Sequence, residues 1–192
     1  MVVAALVAAP VLIAATSPLL ASRDAAYIIG GMAGVLALAL FFMQPLLAAG
    51  YLPGIALTRE RRWHRVLGAG LVILVLMHVG GLYIASPPDM TDALLLVAPT
   101  PFSVYGVIGF WGVVATAVFV AARARLRIRP ATWNIFHNTL ALIMVSASVT
   151  HALMIEGAMG ARSKLLLCLC VLAATALVIL HLRVLKPLLR NR

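Results

Sequence analysis

Four histidines carry the chemistry that this sequence offers. His64 and His78 stand 14 residues apart in one apolar stretch, and His137 and His151 stand 14 residues apart in another. Fourteen residues are nearly four turns of α-helix, so both members of a pair fall on one face, separated by a rise of about 21 Å. An ionisable side chain at membrane depth is costly, and it usually faces the interior of a helix bundle and has a partner there. Imidazole can serve as an axial ligand to haem iron, as a ligand to other metals, or as a proton carrier.

The elements that must position these side chains follow from composition. The chain has 192 residues, of which 64% are hydrophobic and 10% charged, and its mean hydropathy is +1.11. No soluble domain of this size buries that much apolar surface, so the solvent is lipid. A helix needs about 20 apolar residues to cross the hydrocarbon. The sequence predicts an all-α fold, a single transmembrane domain over 1–192 with helices at about 2–21, 26–50, 64–85, 103–122, 132–155 and 164–186. Breakers mark the boundaries: Pro53-Gly54, Pro87-Pro88, Pro130 and Pro187. The first stretch competes with a cleaved signal peptide, since Ala21 and Ser22 follow it. It has no basic start, so it is read as a span.

Charge sets the expected orientation. The net charge is +10, and 12 of the 15 basic residues fall on one side of a six-span arrangement. They are Arg59, Arg61, Arg62 and Arg65, then Arg123, Arg125, Arg127 and Arg129, then Arg183, Lys186, Arg190 and Arg192. By the positive-inside rule both termini face the cytoplasm, and a bacterial inner membrane is the expected location. No basic stripe is interleaved with aromatics, which argues against nucleic acid as a partner. Cys168 and Cys170 point to nearly opposite sides of a helix, so they read as small buried residues rather than a disulfide or metal pair.

The third and fifth spans run in the same direction across the membrane. His64 then faces His137 near the cytoplasmic side, and His78 faces His151 nearer the outside. Two b-type haems, each ligated by one histidine from each helix, fit that arrangement. The expected structure is therefore a six-helix bundle with a di-haem core between helices 3 and 5, with His64, His78, His137 and His151 as the metal ligands. A single intramembrane histidine can instead bond a neighbouring carbonyl or hydroxyl. A haemless proton or metal transporter is the competing class; such proteins more often carry carboxylates inside the membrane, and no Asp or Glu lies deep in a span.

Other residues take secondary places in this reading. Arg61, Arg62, Arg65 and Arg125 are candidates for the propionates of an inner haem, and Arg162, Lys164 or Tyr83 for those of an outer one. Ordinary topology-setting charge explains each singly. Met144 lies midway between His137 and His151 on one face, where it packs between haems or simply in the core. Gly68, Gly70, Gly80 and Gly81 permit close approach to a porphyrin or another helix. His181 stands alone near the cytoplasmic end of the sixth span. It reads as a packed or interfacial histidine, a quinone or flavin contact, or an alternative ligand to the inner haem.

The stretch Arg61-Arg62-Trp63-His64-Arg65-Val66-Leu67-Gly68, followed by His78 and Tyr83, resembles the third helix of the ferric reductase-like transmembrane domain family. Trp133-Asn134-Ile135-Phe136-His137-Asn138, followed by His151, resembles that family's fifth helix. Pro101-Phe102 before Gly106 is similar to the start of the fourth helix in the bacterial haem-binding membrane subunit of periplasmic methionine sulfoxide reductase. The resemblance covers about residues 50–155. It implies a b-type cytochrome that passes electrons across a membrane, with the four paired histidines as axial ligands. Few residues follow the sixth span, so the chain is expected to lack the FAD and NADPH domains of the oxidases. It would draw electrons from a separate flavoprotein or a quinol and deliver them to ferric iron, oxygen or a periplasmic redox partner, with flavin or quinone bound on the cytoplasmic side.

Overall fold

A computed structural model describes residues 2–190 of the chain. Its helices are α1 (Val2–Ala15), α2 (Ala25–Ala49), α3 (Leu57–Ala85), α4 (Pro87–Leu94), α5 (Pro101–Ala122), α6 (Pro130–Met154), α7 (Ala161–Leu180) and α8 (Lys186–Arg190). A 3-10 turn, Pro18–Leu20, follows α1, and a π-helical turn, His181–Leu185, joins α7 to α8. There is no strand among the described residues. Arg192 and the side chain of Arg190, both counted in the basic tail, lie outside the described residues.

Among the described residues, five helical runs are long and apolar enough to cross a membrane: α2, α3, α5, α6, and the continuous run Ala161–Leu189. The chain is an integral membrane protein. Helix α1 is apolar but has only 14 residues, a rise of about 21 Å against about 30 Å of hydrocarbon. It stops short of the expected 2–21: the α-helix ends at Ala15, and Pro18 opens a 3-10 turn. Ser17 caps that turn, its side chain accepting from the Leu19 N–H. Prolines 10 and 45 lie inside α1 and α2 without ending them, as membrane helices tolerate.

Other boundaries also differ from expectation. The arginines from Arg59 to Arg65 occupy the first turns of α3 rather than a loop, since no breaker lies between Ala56 and Ala85. Charge limits how deep a helix sits in lipid; it does not stop the helix. Pro87-Pro88 ends α3 but also opens α4, because proline suits a first helical turn whose N–H groups lack partners anyway. Pro187 does not stop the last helix. The π-helical turn before it re-routes the backbone, with the Lys186 N–H reaching five residues back to the His181 carbonyl.

Two antiparallel hairpins, α2–α3 and α5–α6, build the bundle, and α7 packs against both α2 and α6. Small residues let the hairpins close tightly, the usual device where lipid offers no hydrophobic drive. A Cβ on Gly81 would lie 2.8 Å from the Gly30 Cα and 2.9 Å from the Ala26 carbonyl oxygen. Gly109 and Gly112 of α5 meet Ser148 and Met144 of α6 in the same way. The buried core joins Leu38, Phe41 and Phe42 of α2 to Leu71, Val113, Val149 and Val171. Leucines such as Leu76, Leu166 and Leu169 face outward, where lipid would cover them.

Candidate functional site

The fold brings the four histidines together as two pairs. The ring centres of His64 and His137 lie 6.2 Å apart with planes at 85°, and those of His78 and His151 lie 6.3 Å apart with planes at 77°. Helices α3 and α6 thus run parallel, with one pair near their starts and the other near their ends. Their backbones stay apart, since each packs on its own hairpin partner, α2 or α5. The histidines face each other across the gap.

The gap can be tested against a metal. An imidazole nitrogen sits about 2.0–2.1 Å from a bound ion and the ring centre about 1.1 Å further out, so two rings on opposite sides of one ion have centres roughly 6.3 Å apart. Both pairs meet that separation. Such rings can rotate about their common axis, so nearly perpendicular planes fit as well as parallel ones. Among the described residues no three His, Cys, Asp or Glu side chains converge. Each pair therefore offers two protein ligands, the number that the axial positions of a porphyrin take.

The second ring nitrogen is also accounted for at three of the four positions. His78 Nδ1 donates to the Gly30 carbonyl at 2.8 Å, and His151 Nδ1 to the Phe102 carbonyl at 2.8 Å. His64 Nδ1 lies 3.1 Å from the Gln44 carbonyl oxygen. Metal-binding imidazoles commonly donate their other N–H to a backbone carbonyl, which fixes the tautomer and raises ligand basicity. Nε2 is then the nitrogen left for a metal. His137 differs: its Nδ1 is buried and has no hydrogen-bond partner among the described residues.

Glycines admit two of the rings. A Cβ at Gly34 would lie 2.7 Å from His78 Nδ1, and one at Gly106 would lie 2.7 Å from His151 Nδ1. Each imidazole lies flush against the neighbouring helix backbone, which no larger residue would allow.

A cavity of about 730 Å³ surrounds the His78–His151 pair, within the range of about 300–1,000 Å³ typical of ligand sites. Its lining is largely apolar, with Phe41, Phe110 and Val113 in it, and its polar side chains include Tyr27, Ser103 and Lys164 together with the carboxylates Asp89 and Glu156. Lys164 Nζ donates to the Ile155 carbonyl at 2.5 Å. The cavity does not reach His64 or His137.

The remaining sequence candidates divide. Arg61, Arg62, Arg65, Arg125 and Arg162 are exposed. Tyr83 is 46% exposed and lies outside the cavity wall, where Tyr27 stands instead. Met144 packs on α5, with the Thr116 hydroxyl 3.9 Å from its sulfur. Of the four α3 glycines, only Gly81 makes a backbone contact; Gly70 and Gly80 have open space where a Cβ would go, and a Cβ at Gly68 would have only ordinary contact with Gln44. His181 bonds Tyr51, its Nδ1 paired with the Tyr51 hydroxyl and the rings stacked at 5.6 Å. Sequence reasoning missed Tyr51 and also missed Glu60, a fully buried carboxylate at the start of α3. Glu60 Oε1 accepts from the Leu52 N–H at 2.6 Å.

Neither the curated proteins nor the solved structures contain a match to the chain. A family profile does match it, over residues 33–148, more than half of its length. That stretch takes in His64, His78 and His137 and ends just short of His151. The family points in general terms to electron transfer across a membrane. The chain belongs to the family described as ferric reductase like transmembrane component.

Proposed function

We propose that this protein is a di-haem b-type cytochrome that conducts electrons across a membrane. The observation that carries this reading is the pair of opposed imidazole couples, with centres 6.2 and 6.3 Å apart. His64 with His137, and His78 with His151, are the residues that would hold the two irons. The bound haems supply one-electron ferric–ferrous chemistry.

The chain's own residues do the rest. The carbonyls of Gly30 and Phe102 orient His78 and His151. Gly34 and Gly106 make room for those rings, and the apolar walls around them exclude water. Tyr27 and Lys164 line the same cavity and are the residues that would meet anionic propionates. In this reading α1 and its 3-10 turn complete a sixth span, and both termini face the cytoplasm with the arginine-rich helix ends. The donor is a flavoprotein or quinol on that side; the acceptor, on the far side, is ferric iron or a periplasmic reductase.

The test is optical. Purified protein should show reduced b-type bands and about two haems per chain by pyridine haemochrome. His78→Ala should leave about one. Protein isolated without a Soret band, but showing proton or metal flux in liposomes, would replace this reading with that of a haemless transporter.

A further inference from the structure

The two hairpins share one register. On α2, Gly30 and Gln44 present their carbonyls to His78 and His64, and these two acceptors are 14 residues apart, as the histidines are. On α5, Phe102 presents its carbonyl to His151. Fourteen residues further along α5 is Thr116, which stands where an acceptor for His137 belongs. Four residues beyond two of the acceptors stand the glycines that the rings lie against, Gly34 for His78 and Gly106 for His151; the same register gives Ala48 for His64 and Val120 for His137. The first three are small and the fourth is branched. Among the described residues, only the fourth imidazole lacks its carbonyl bond.

His137 has something else instead. Trp133, one helical turn before it, stacks on its ring with centres 5.1 Å apart and planes at 14°. Trp133 is itself held on α5 by Phe119, stacked at 5.6 Å and 10°, and by the Arg123 guanidinium 4.6 Å from the centre of its ring system. No other histidine of the two pairs stacks on a tryptophan among the described residues.

Building on the di-haem reading, we propose that Trp133 is the positioning residue for His137, orienting by aromatic stacking the one ligand that no backbone carbonyl holds, and that the His64–His137 site therefore binds its haem less tightly than the His78–His151 site. A stacked face fixes the plane of an imidazole but withdraws no proton density from Nδ1–H. The ring stays a weaker donor than its three counterparts. Loss of a second hydrogen-bonded partner commonly costs about 10–100-fold in affinity for the bound group.

Haem transfer from the purified, haem-loaded protein to excess apomyoglobin measures this directly. Wild-type protein should lose its haems in two phases differing about tenfold in rate. Trp133→Leu should speed the fast phase further and leave the slow phase alone, while Trp133→Phe, which keeps a stacking face, should stay near wild type. The ferric low-spin EPR signal gives a second readout, because its anisotropy follows the angle between the two imidazole planes. Trp133→Leu should shift the signal of one haem only. A single transfer rate in wild-type protein, or a Trp133→Leu variant whose fast phase and EPR signal both match wild type, overturns the proposal while leaving the di-haem reading intact. Protein that binds no haem overturns the di-haem reading itself, and this inference with it.

Discussion

His78 rests directly against the backbone of Gly34: a Cβ there would lie 2.7 Å from His78 Nδ1 and 2.9 Å from its Cε1. The contact fixes more than space. The same nitrogen donates to the Gly30 carbonyl one turn away, so the ring spans a single turn of α2 and cannot slide along it.

Gly34→Ala should therefore displace the imidazole by several tenths of an ångström and break its bond to Gly30. Overpacking of this kind typically costs about 1–3 kcal/mol. In the di-haem reading the variant loses the haem of the His78–His151 site, so haem content falls from about two per chain to about one. Gly106→Ala should do the same through His151, and the double variant should be no worse than either single one, because both act on one site. Gly70→Ala is the control, since a Cβ there meets nothing within 4 Å and Gly70 lies outside the cavity wall. Pyridine haemochrome on the four variants decides the matter; a full haem complement in Gly34→Ala counts against the geometry.

The hairpin contact at Gly81 makes a separate prediction about stability. A methyl group at this position would sit 2.8 Å from the Gly30 Cα. Two backbones must part to admit it, so Gly81→Ala should destabilise the protein by about 1–3 kcal/mol. Its neighbour Gly80 has open space where a Cβ would go. Gly80→Ala should be neutral or stabilising by about 0.5–1 kcal/mol, since glycine inside a helix carries that entropic cost. Thermal unfolding in detergent should rank the variants with Gly80→Ala at or above wild type and Gly81→Ala below it. Equal midpoints would mean that α2 and α3 do not meet here.

Helical periodicity explains why the pairing was legible in the sequence. Equal spacings of 14 in His64–His78 and His137–His151 put each pair on one face whatever the details of packing. Hydropathy likewise located the long spans to within a few residues, apart from the start of α3. It missed that start because hydropathy finds where lipid begins rather than where hydrogen bonding does; Leu57–Arg62 is helical but not apolar. Prolines were ambiguous for a similar reason. Pro87 and Pro101 open helices and Pro187 lies inside a helical run, so the residue marks a missing N–H rather than a stop. The partners of the histidines left no mark at all. Carbonyl acceptors at Gly30, Gln44 and Phe102 belong to the backbone, and residue type does not advertise them. Contacts such as Tyr51 with His181, separated by 130 positions, are created only by the packing of the turn after α2 against the end of α7.

Glu60 ties that turn to the site. It is fully buried, accepts from the Leu52 N–H, and lies one helical turn before His64 on α3. Glu60→Ala leaves the Leu52 N–H without its acceptor, at a cost of about 1–3 kcal/mol for a buried group. Glu60→Gln keeps an acceptor oxygen and should lose much less. The expected result is a lower unfolding midpoint for the alanine variant than for the glutamine one. Identical midpoints would show that the carboxyl contributes nothing to the turn.

His181 is the fifth histidine, and its role follows from where its ring is held. Nδ1 is engaged by the Tyr51 hydroxyl, and the ring stacks on Tyr51 at 5.6 Å and 23°. It also opens the π-helical turn that precedes Pro187, and its carbonyl accepts from the Lys186 N–H. The pairs His64–His137 and His78–His151 are complete without it. His181→Ala should therefore keep about two haems per chain in the di-haem reading. Its effect should be on stability, about 0.5–1.5 kcal/mol for a lost hydrogen bond, and Tyr51→Phe should reproduce that effect without adding to it in the double variant. The combined use of haemochrome and unfolding separates the roles. If His181→Ala lost one haem while Tyr51→Phe lost none, His181 would be a ligand, and the pairing of His64 with His137 would have to be redrawn.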